Sequence, residues 1–384
     1  MILRDLHKVL QAASIKNSII SVTGPRQSGK TTLVKAVFTD YKYINFEDLS
    51  LREFAITDPA SFLKTYGRKM ILDEVQHVPN LFSYLQLAVD EDKATRIVIT
   101  GSQNLLLHHK IEQSLSGRIS LFTLLPFSIS ELQNTSYAKN DYEDYFLTGF
   151  YPRIYNEQLD PGKWLSDYIQ TYLERDVRQI SNIIDLHRFQ QFLKLCAGHI
   201  GQMVNFSSFG NALGISYHTA QNWLSVLEAS YIVLRLYPFH KNFNKRLVKT
   251  PKLYFYDTGL ASVLLGLKSK EQAQLHFAKG MLFENLVIAE LMKKRFNNGF
   301  RPDFYFWRDN IGNEVDLIID EGIRQKTVEI KSSRVVNPDF FKGLDYWSNL
   351  SKAPANNLFL VYGGEENQQR SKGRVVGWRF AGEL

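Results

Sequence analysis

The chain has 384 residues, of which 44% are hydrophobic, and carries 46 basic against 39 acidic residues for a formal charge of +7. That length exceeds what one core organises, so two or three domains are expected, and the mild basic excess favours anionic partners. A single cysteine, Cys196, excludes an internal disulfide, and no Cys/His spacing resembles a zinc site. The N-terminus lacks a signal-peptide apolar run and no apolar stretch reaches membrane-spanning length, so a cytoplasmic chain with no membrane partner is expected.

In chain order, residues 18–23 read as a buried strand, followed by a glycine-containing loop and a helix over 30–38. Residues 41–46, 69–72 and 96–100 are further short strands, with a helix over 80–90 among them. Strands alternating with helices predict a parallel sheet covered on both faces. From about residue 142 to 195 the pattern turns helical, including 164–178. Near Gly280 it changes again: a helix over 281–296, then strands over 303–307, 314–319, 327–331 and 357–362.

Gly24-Pro-Arg-Gln-Ser-Gly29-Lys30-Thr31 matches G-x-x-x-x-G-K-[ST] between a predicted strand and a predicted helix, the context a phosphate-binding P-loop requires. The nucleotide-binding residues are Gly24, Pro25, Arg26, Gln27, Ser28, Gly29, Lys30, Thr31 and Thr32, where the glycines let backbone N–H groups turn inward around phosphate oxygens. Lys30 is expected on the β- and γ-phosphates of ATP, and the Thr31 hydroxyl on Mg2+. Lys69-Met-Ile-Leu-Asp73-Glu74 has the form of a Walker B strand lying beside the P-loop, with Asp73 holding Mg2+ and Glu74 accepting a proton from the attacking water. A third strand ends in Thr100-Gly-Ser102-Gln103, making Ser102 the candidate γ-phosphate sensor, with Thr100 or Gln103 as alternatives. Arg118 is a candidate arginine finger in this subunit or a neighbouring one of a homo-oligomer; the alternative is an ordinary surface or capping arginine.

These motifs, together with Leu72-Asp-Glu-Val-Gln76, Ile99-Thr-Gly-Ser102, Ser116-Gly-Arg118, Leu125-Pro-Phe-Ser128, Gly149-Phe-Tyr-Pro152 and Thr171-Tyr-Leu-Glu-Arg-Asp-Val177, resemble the AAA-type ATPases fused to an uncharacterised nuclease-like C-terminal domain. The resemblance covers nearly the whole chain; Phe150 departs from the double glycine that the family more often shows before Tyr-Pro. It implies an ATP-binding hydrolase.

Residues 205–213, a turn at Gly214-Ile-Ser216 and a second helix over 217–229 fit a helix-turn-helix, with Ser216 capping the second helix and Leu213, Ala220, Trp223 and Leu227 closing its core. Residues 231–236 are the expected strand of a wing. Tyr217, His218, Gln221 and Asn222 would face DNA; since that helix lacks Lys and Arg, phosphate contacts would fall to the run 240–252, with five basic residues and no acid. The alternative is a structural winged helix that only packs domains.

Asp316 on one strand and Glu329-Ile-Lys331 on the next, preceded by a helix bearing Glu284, resemble the PD-(D/E)XK nuclease pattern. Glu329 and Lys331 share a strand face and, with Asp316, would form a second Mg2+ site, Glu284 being the fourth member and Glu290 its reserve. The fold class expected is therefore α/β: a P-loop NTPase parallel sheet over residues 1–135, a helical and winged-helix connector over 136–265, and a smaller restriction-endonuclease-like α/β domain over 266–384. Three functions follow as expectations: a Mg-dependent ATPase acting on DNA, an ATP-gated DNA-binding regulator with an inactive nuclease-like domain, and an ATP-regulated Mg-dependent DNA nuclease.

Overall fold

The structure is a computed structural model that describes residues 2–101, 115, 117–173, 185–239 and 249–384. The chain packs as two compact units: Met1–Phe127 with Ala229–Tyr231 and Arg295–Phe300 in the first, and the remainder in the second. Among the described residues no helix is long and apolar enough to cross a membrane.

The first unit opens with α1 (Leu6–Lys16), β1 (Ile19–Thr23), α2 (Lys30–Val37) and β2 (Lys42–Asn45). It continues through α3 (Leu49–Thr57), α4 (Pro59–Tyr66), β3 (Lys69–Asp73), α5 (Leu81–Glu91), β4 (Arg96–Gly101) and β5 (Ile119–Thr123). The strands form a wholly parallel sheet of order β2-β3-β4-β1-β5. Alternation along the strands divides its core. Ile19, Met70, Leu72, Ile97 and Ile99 pack with Phe62, Leu81, Phe82 and Leu85 of α4 and α5. Ile20, Val22, Ile71 and Val98 pack with Leu6 and Leu10 of α1 and with Leu33 and Val34 of α2. Each strand is thus apolar on both sides, which a parallel sheet with helices on both faces requires. Asp48 and Asp58 start α3 and α4 by accepting hydrogen bonds from Ser50 and Leu51 amides and from Ser61 amide, caps worth about 1 kcal/mol each. The order corrects one expectation: β4 lies between β1 and β3, so the acidic strand is not the direct neighbour of the phosphate-loop strand.

The second unit begins with α6 (Ile129–Gln133), α7 (Tyr142–Thr148), α8 (Pro152–Asn156) and α9 (Pro161–Tyr168). The helix expected over 164–178 instead passes into a π-helical turn at Ile169–Leu173, and its remainder lies outside the described residues. Then come α10 (Leu186–Gly198), α11 (Phe206–Leu213), α12 (Tyr217–Ala229), β6 (Val233–Pro238), β7 (Lys252–Phe255), α13 (Thr258–Leu264) and α14 (Lys270–Leu275). The chain finishes with α15 (Lys279–Asn297), β8 (Phe304–Arg308), β9 (Glu314–Asp320), β10 (Gln325–Lys331), α16 (Lys342–Ser351), β11 (Leu358–Tyr362), β12 (Gln368–Arg370) and β13 (Gly373–Gly377).

Between α11 and α12, Gly214 takes the left-handed conformation (φ 63°) and Ser216 Oγ accepts the Thr219 amide at 3.0 Å. Ala220, Trp223 and Leu227 are buried, whereas Leu213 is only half-buried. The strand after α12 starts at Val233, because Tyr231 is itself left-handed (φ 57°). β6 pairs antiparallel with β7 and, through Tyr237 and Pro238, parallel with β8. This places both hairpin strands in one mixed sheet of order β12-β13-β11-β10-β9-β8-β6-β7. Connector strands and C-terminal strands therefore share a sheet and a packed unit, so the second sheet is the larger of the two. Its core holds Trp307, Val315, Ile318, Leu344, Trp347 and Leu360.

Candidate functional site

The loop between β1 and α2 closes on itself. Gly24 has φ 148°, and a β-carbon there would stand 2.1 Å from the carbonyl oxygen of Leu124, so no side chain fits. Gln27 (φ 63°) and Gly29 (φ 93°) are both left-handed, which curls the loop. From outside, Arg4 donates to the Ser28 carbonyl at 2.9 Å and to the Leu125 carbonyl at 2.7 Å, its guanidinium lying over the Phe127 ring. Lys30, buried at the start of α2, turns its ammonium onto the carbonyls of Gly24 (3.0 Å) and Pro25 (2.8 Å). The Ser28 hydroxyl is buried with no hydrogen-bond partner among the described residues.

Asp73 ends β3 buried and gathers three hydroxyls. Thr31 and Tyr43 each donate to Oδ2 at 2.7 Å, and Thr100 at the end of β4 donates to Oδ1. The inserted β4 explains why Thr100 is there at all: its carboxyl end lies between the phosphate loop and Asp73. Tyr43 and Thr100 went unassigned or secondary in sequence because neither belongs to the loop or the acidic dipeptide; only pairing of β2, β3 and β4 brings them to Asp73. Burial, then the Asp73 carboxylate, holds the Tyr43 phenol well above its ordinary pKa. Glu74 follows in a left-handed conformation (φ 54°) and accepts from the Gln76 side chain. Ser102 and Gln103 lie outside the described residues.

Arg118 precedes β5 and pairs with Asp90 of α5 at 2.7 Å on a half-exposed surface. Strand pairing sets Ile119 beside Ile19 and Thr123 beside Thr23, so Arg118 stands at the amino end of the sheet and the phosphate loop at the carboxyl end, roughly 16 Å of strand away. This position speaks against Arg118 serving its own chain's nucleotide, and the pair with Asp90 agrees with the alternative of an ordinary surface arginine.

The donor set fits a triphosphate and Mg2+: an ammonium within a curled loop, an unpartnered buried hydroxyl, and a threonine–aspartate pair of hard oxygens beside it. Residues 16–133 match the AAA domain family. That match, with the parallel sheet and the loop after β1, makes the N-terminal unit a P-loop NTPase fold. Residues 139–271 match a domain of unknown function (DUF8612), and residues 279–380 another (DUF4143). An uncharacterized protein of Mycobacterium tuberculosis is 28% identical over 94% of this chain and 80% of its own length. An uncharacterized protein of Haemophilus influenzae is 24% identical over 72% of this chain and 74% of its own. The Walker-type ATPase of Pyrococcus abyssi superposes with a TM-score of 0.47 at 16% identity, covering 68% of this chain and 94% of that one.

A second charged cluster lies within the other unit. Lys331 Nζ contacts Glu329 Oε1 at 2.6 Å and Asp316 Oδ2 at 3.3 Å, and the Ile330 amide donates to the same Asp316 oxygen at 2.8 Å. Glu284 of α15 accepts from Tyr254 and lies 3.3 Å from Lys252 Nζ, both on β7, and Lys252 also pairs with Glu314. The structure therefore gathers Glu284, Asp316, Glu329 and Lys331 in one neighbourhood, adding Lys252, Tyr254 and Glu314. Burial raises the pKa of Glu284, and burial with the Asp316 charge pushes Glu329 up to about 8. Burial opposes the charge on Lys252 and Lys331, but the surrounding carboxylates outweigh it and hold both ammonium groups above their ordinary range. Lys252 corrects the basic run over 240–252: it is a buried strand residue facing acids, not a surface contact for phosphates. Residues 240–248 of that run lie outside the described residues. Glu290 is likewise no reserve for Glu284. Six residues further along α15 it points to another side, where its carboxylate accepts the Ile129 and Ser130 amides at the start of α6.

These carboxylates do not fit a divalent cation as they stand. Each faces an ammonium group, and among the described residues no group of three or more His, Cys, Asp or Glu side chains is set to hold a metal.

Proposed function

We propose that the N-terminal unit is a Mg-dependent ATPase. The observation that carries this reading is the 2.7 Å contact between Thr31 and Asp73, at the mouth of the loop that holds the Lys30 ammonium. Thr31 and Asp73 are the residues to hold Mg2+, and Lys30 with the Ser28 hydroxyl and loop amides those to hold the phosphates. Bound Mg-ATP supplies a γ-phosphoryl group open to in-line attack by water. Glu74 takes the proton from that water, while Thr100 and Tyr43 keep the Asp73 carboxylate oriented. A phosphate-release assay tests this: Glu74→Gln and Lys30→Ala are each expected to lower turnover by about 10²-fold or more, typical of losing a general base or a charge-stabilising group. Wild-type turnover equal to that of both variants would sink the reading.

We propose further that the α10–α12 segment with the β6–β7 hairpin is a winged helix that contacts DNA, and that nucleotide state governs the contact. Tyr217, His218 and Asn222 are exposed on α12, which supports this reading. The gathering of Glu284, Asp316, Glu329 and Lys331 supports a nuclease-like second sheet, as a binding platform rather than a Mg-dependent nuclease, because the carboxylates already face lysines. DNA affinity that ignores both nucleotide and salt would rule out the gated contact.

A further inference from the structure

The β6–β7 hairpin contributes two side chains to the charged cluster. Residues two apart on a strand project to the same side, and Lys252 and Tyr254 of β7 accordingly both reach Glu284. The Lys252 side chain is only 4% exposed. An ammonium group taken out of water that far is tolerated only with carboxylates against it, and Glu284 and Glu314 supply them from α15 and β9. Lys331 pairs in turn with Asp316 and Glu329, and Asp316 also accepts the Ile330 amide and adds its charge to those acting on Lys252. Two ammonium groups thus face four carboxylates, each of which has one oxygen on a lysine. A divalent cation entering here would meet like charge at short range.

We infer that Lys252 stands in for a divalent cation: the cluster is a metal-independent lock that fastens the second hairpin strand to Glu284 of α15 and to the strand carrying Glu314 and Asp316. This assignment is independent of the nucleotide site. The lysine charge offsets that of the acids around it, so that the hairpin rather than an ion completes the neutralisation.

Equilibrium dialysis of the full chain against millimolar Mn2+ without nucleotide tests it, comparing wild type, Asp316→Asn, Lys252→Met and the double variant. The wild type is expected to retain no Mn2+ that Asp316→Asn removes. Lys252→Met, which keeps the side-chain length and deletes the charge, is expected to gain one equivalent that the double variant loses. Stoichiometric, Asp316-dependent Mn2+ in the wild type overturns the inference, as does a folded Lys252→Met that takes up none. Should Lys252→Met be unfolded in chelator, far-ultraviolet circular dichroism gives the same reading: a folded signal restored by Mn2+ is the expected result, and an unfolded signal with and without the metal is contrary.

Discussion

Asp73 and Glu329 are both buried carboxylates, yet their surroundings differ. Three hydroxyls donate to Asp73, so both of its oxygens are hydrogen-bonded. Glu329 has Lys331 on Oε1, but Oε2 is buried without a partner among the described residues and Asp316 stands close by. Its carboxyl is therefore held up to about 8, against an ordinary 4.5. Because the folded state binds this proton more tightly than the unfolded one, stability falls as pH rises from about 4.5 through about 8. Glu329→Gln is expected to flatten that decline, read from urea midpoints measured at several pH values. An unchanged slope would assign the proton to another group. In sequence, Glu329 and Lys331 were legible as a strand-face pair, whereas Lys252, far upstream in a run of surface-like basics, was not; only the placing of β7 within the second sheet brings it to Glu284.

Among elements, the phosphate loop depends on β5 as much as on β1. Gly24 lies so close to the Leu124 carbonyl that a methyl group would overlap backbone, and no rotamer relieves that. Gly24→Ala is therefore expected to push apart the end of β5 and the loop, lowering ATP affinity by at least about tenfold (~1.4 kcal/mol). Calorimetric titration checks it; unaltered affinity would mean the strand end yields freely. The glycine motif itself was readable, since strand, turn and helix are contiguous. β5 was not, because Ile119 to Thr123 is a half-buried strand whose partner β1 lies a hundred residues upstream. Likewise α1, α3 and α4 gain their definition from Leu6 and Leu10, Ala55, and Phe62, which pack into the cores on the two faces of the sheet.

For the whole molecule, composition, charge and fold bear together on the proposed DNA contact. The overall charge is +7, but α12 carries no Lys or Arg and Lys252 is consumed within its own unit. Affinity should then depend on few phosphate contacts. The logarithmic salt slope is expected to be shallow, about −0.9 per phosphate neutralised, and Lys249→Ala should lower it by about one unit. A steep slope unaffected by Lys249 would place the DNA contact elsewhere. By itself the sequence determined the P-loop, the acidic end of β3, the alternation of strands with helices and the helix-turn-helix, because each is encoded by neighbours along the chain. Tertiary structure alone decided that β4 separates β1 from β3, that Arg118 faces the far end of its sheet, that Glu290 caps α6, and that Lys252 neutralises the acids around Glu284. Each of these rests on partners brought together by sheet order and burial, and a charged side chain carries no local mark of which distant group will share its removal from water.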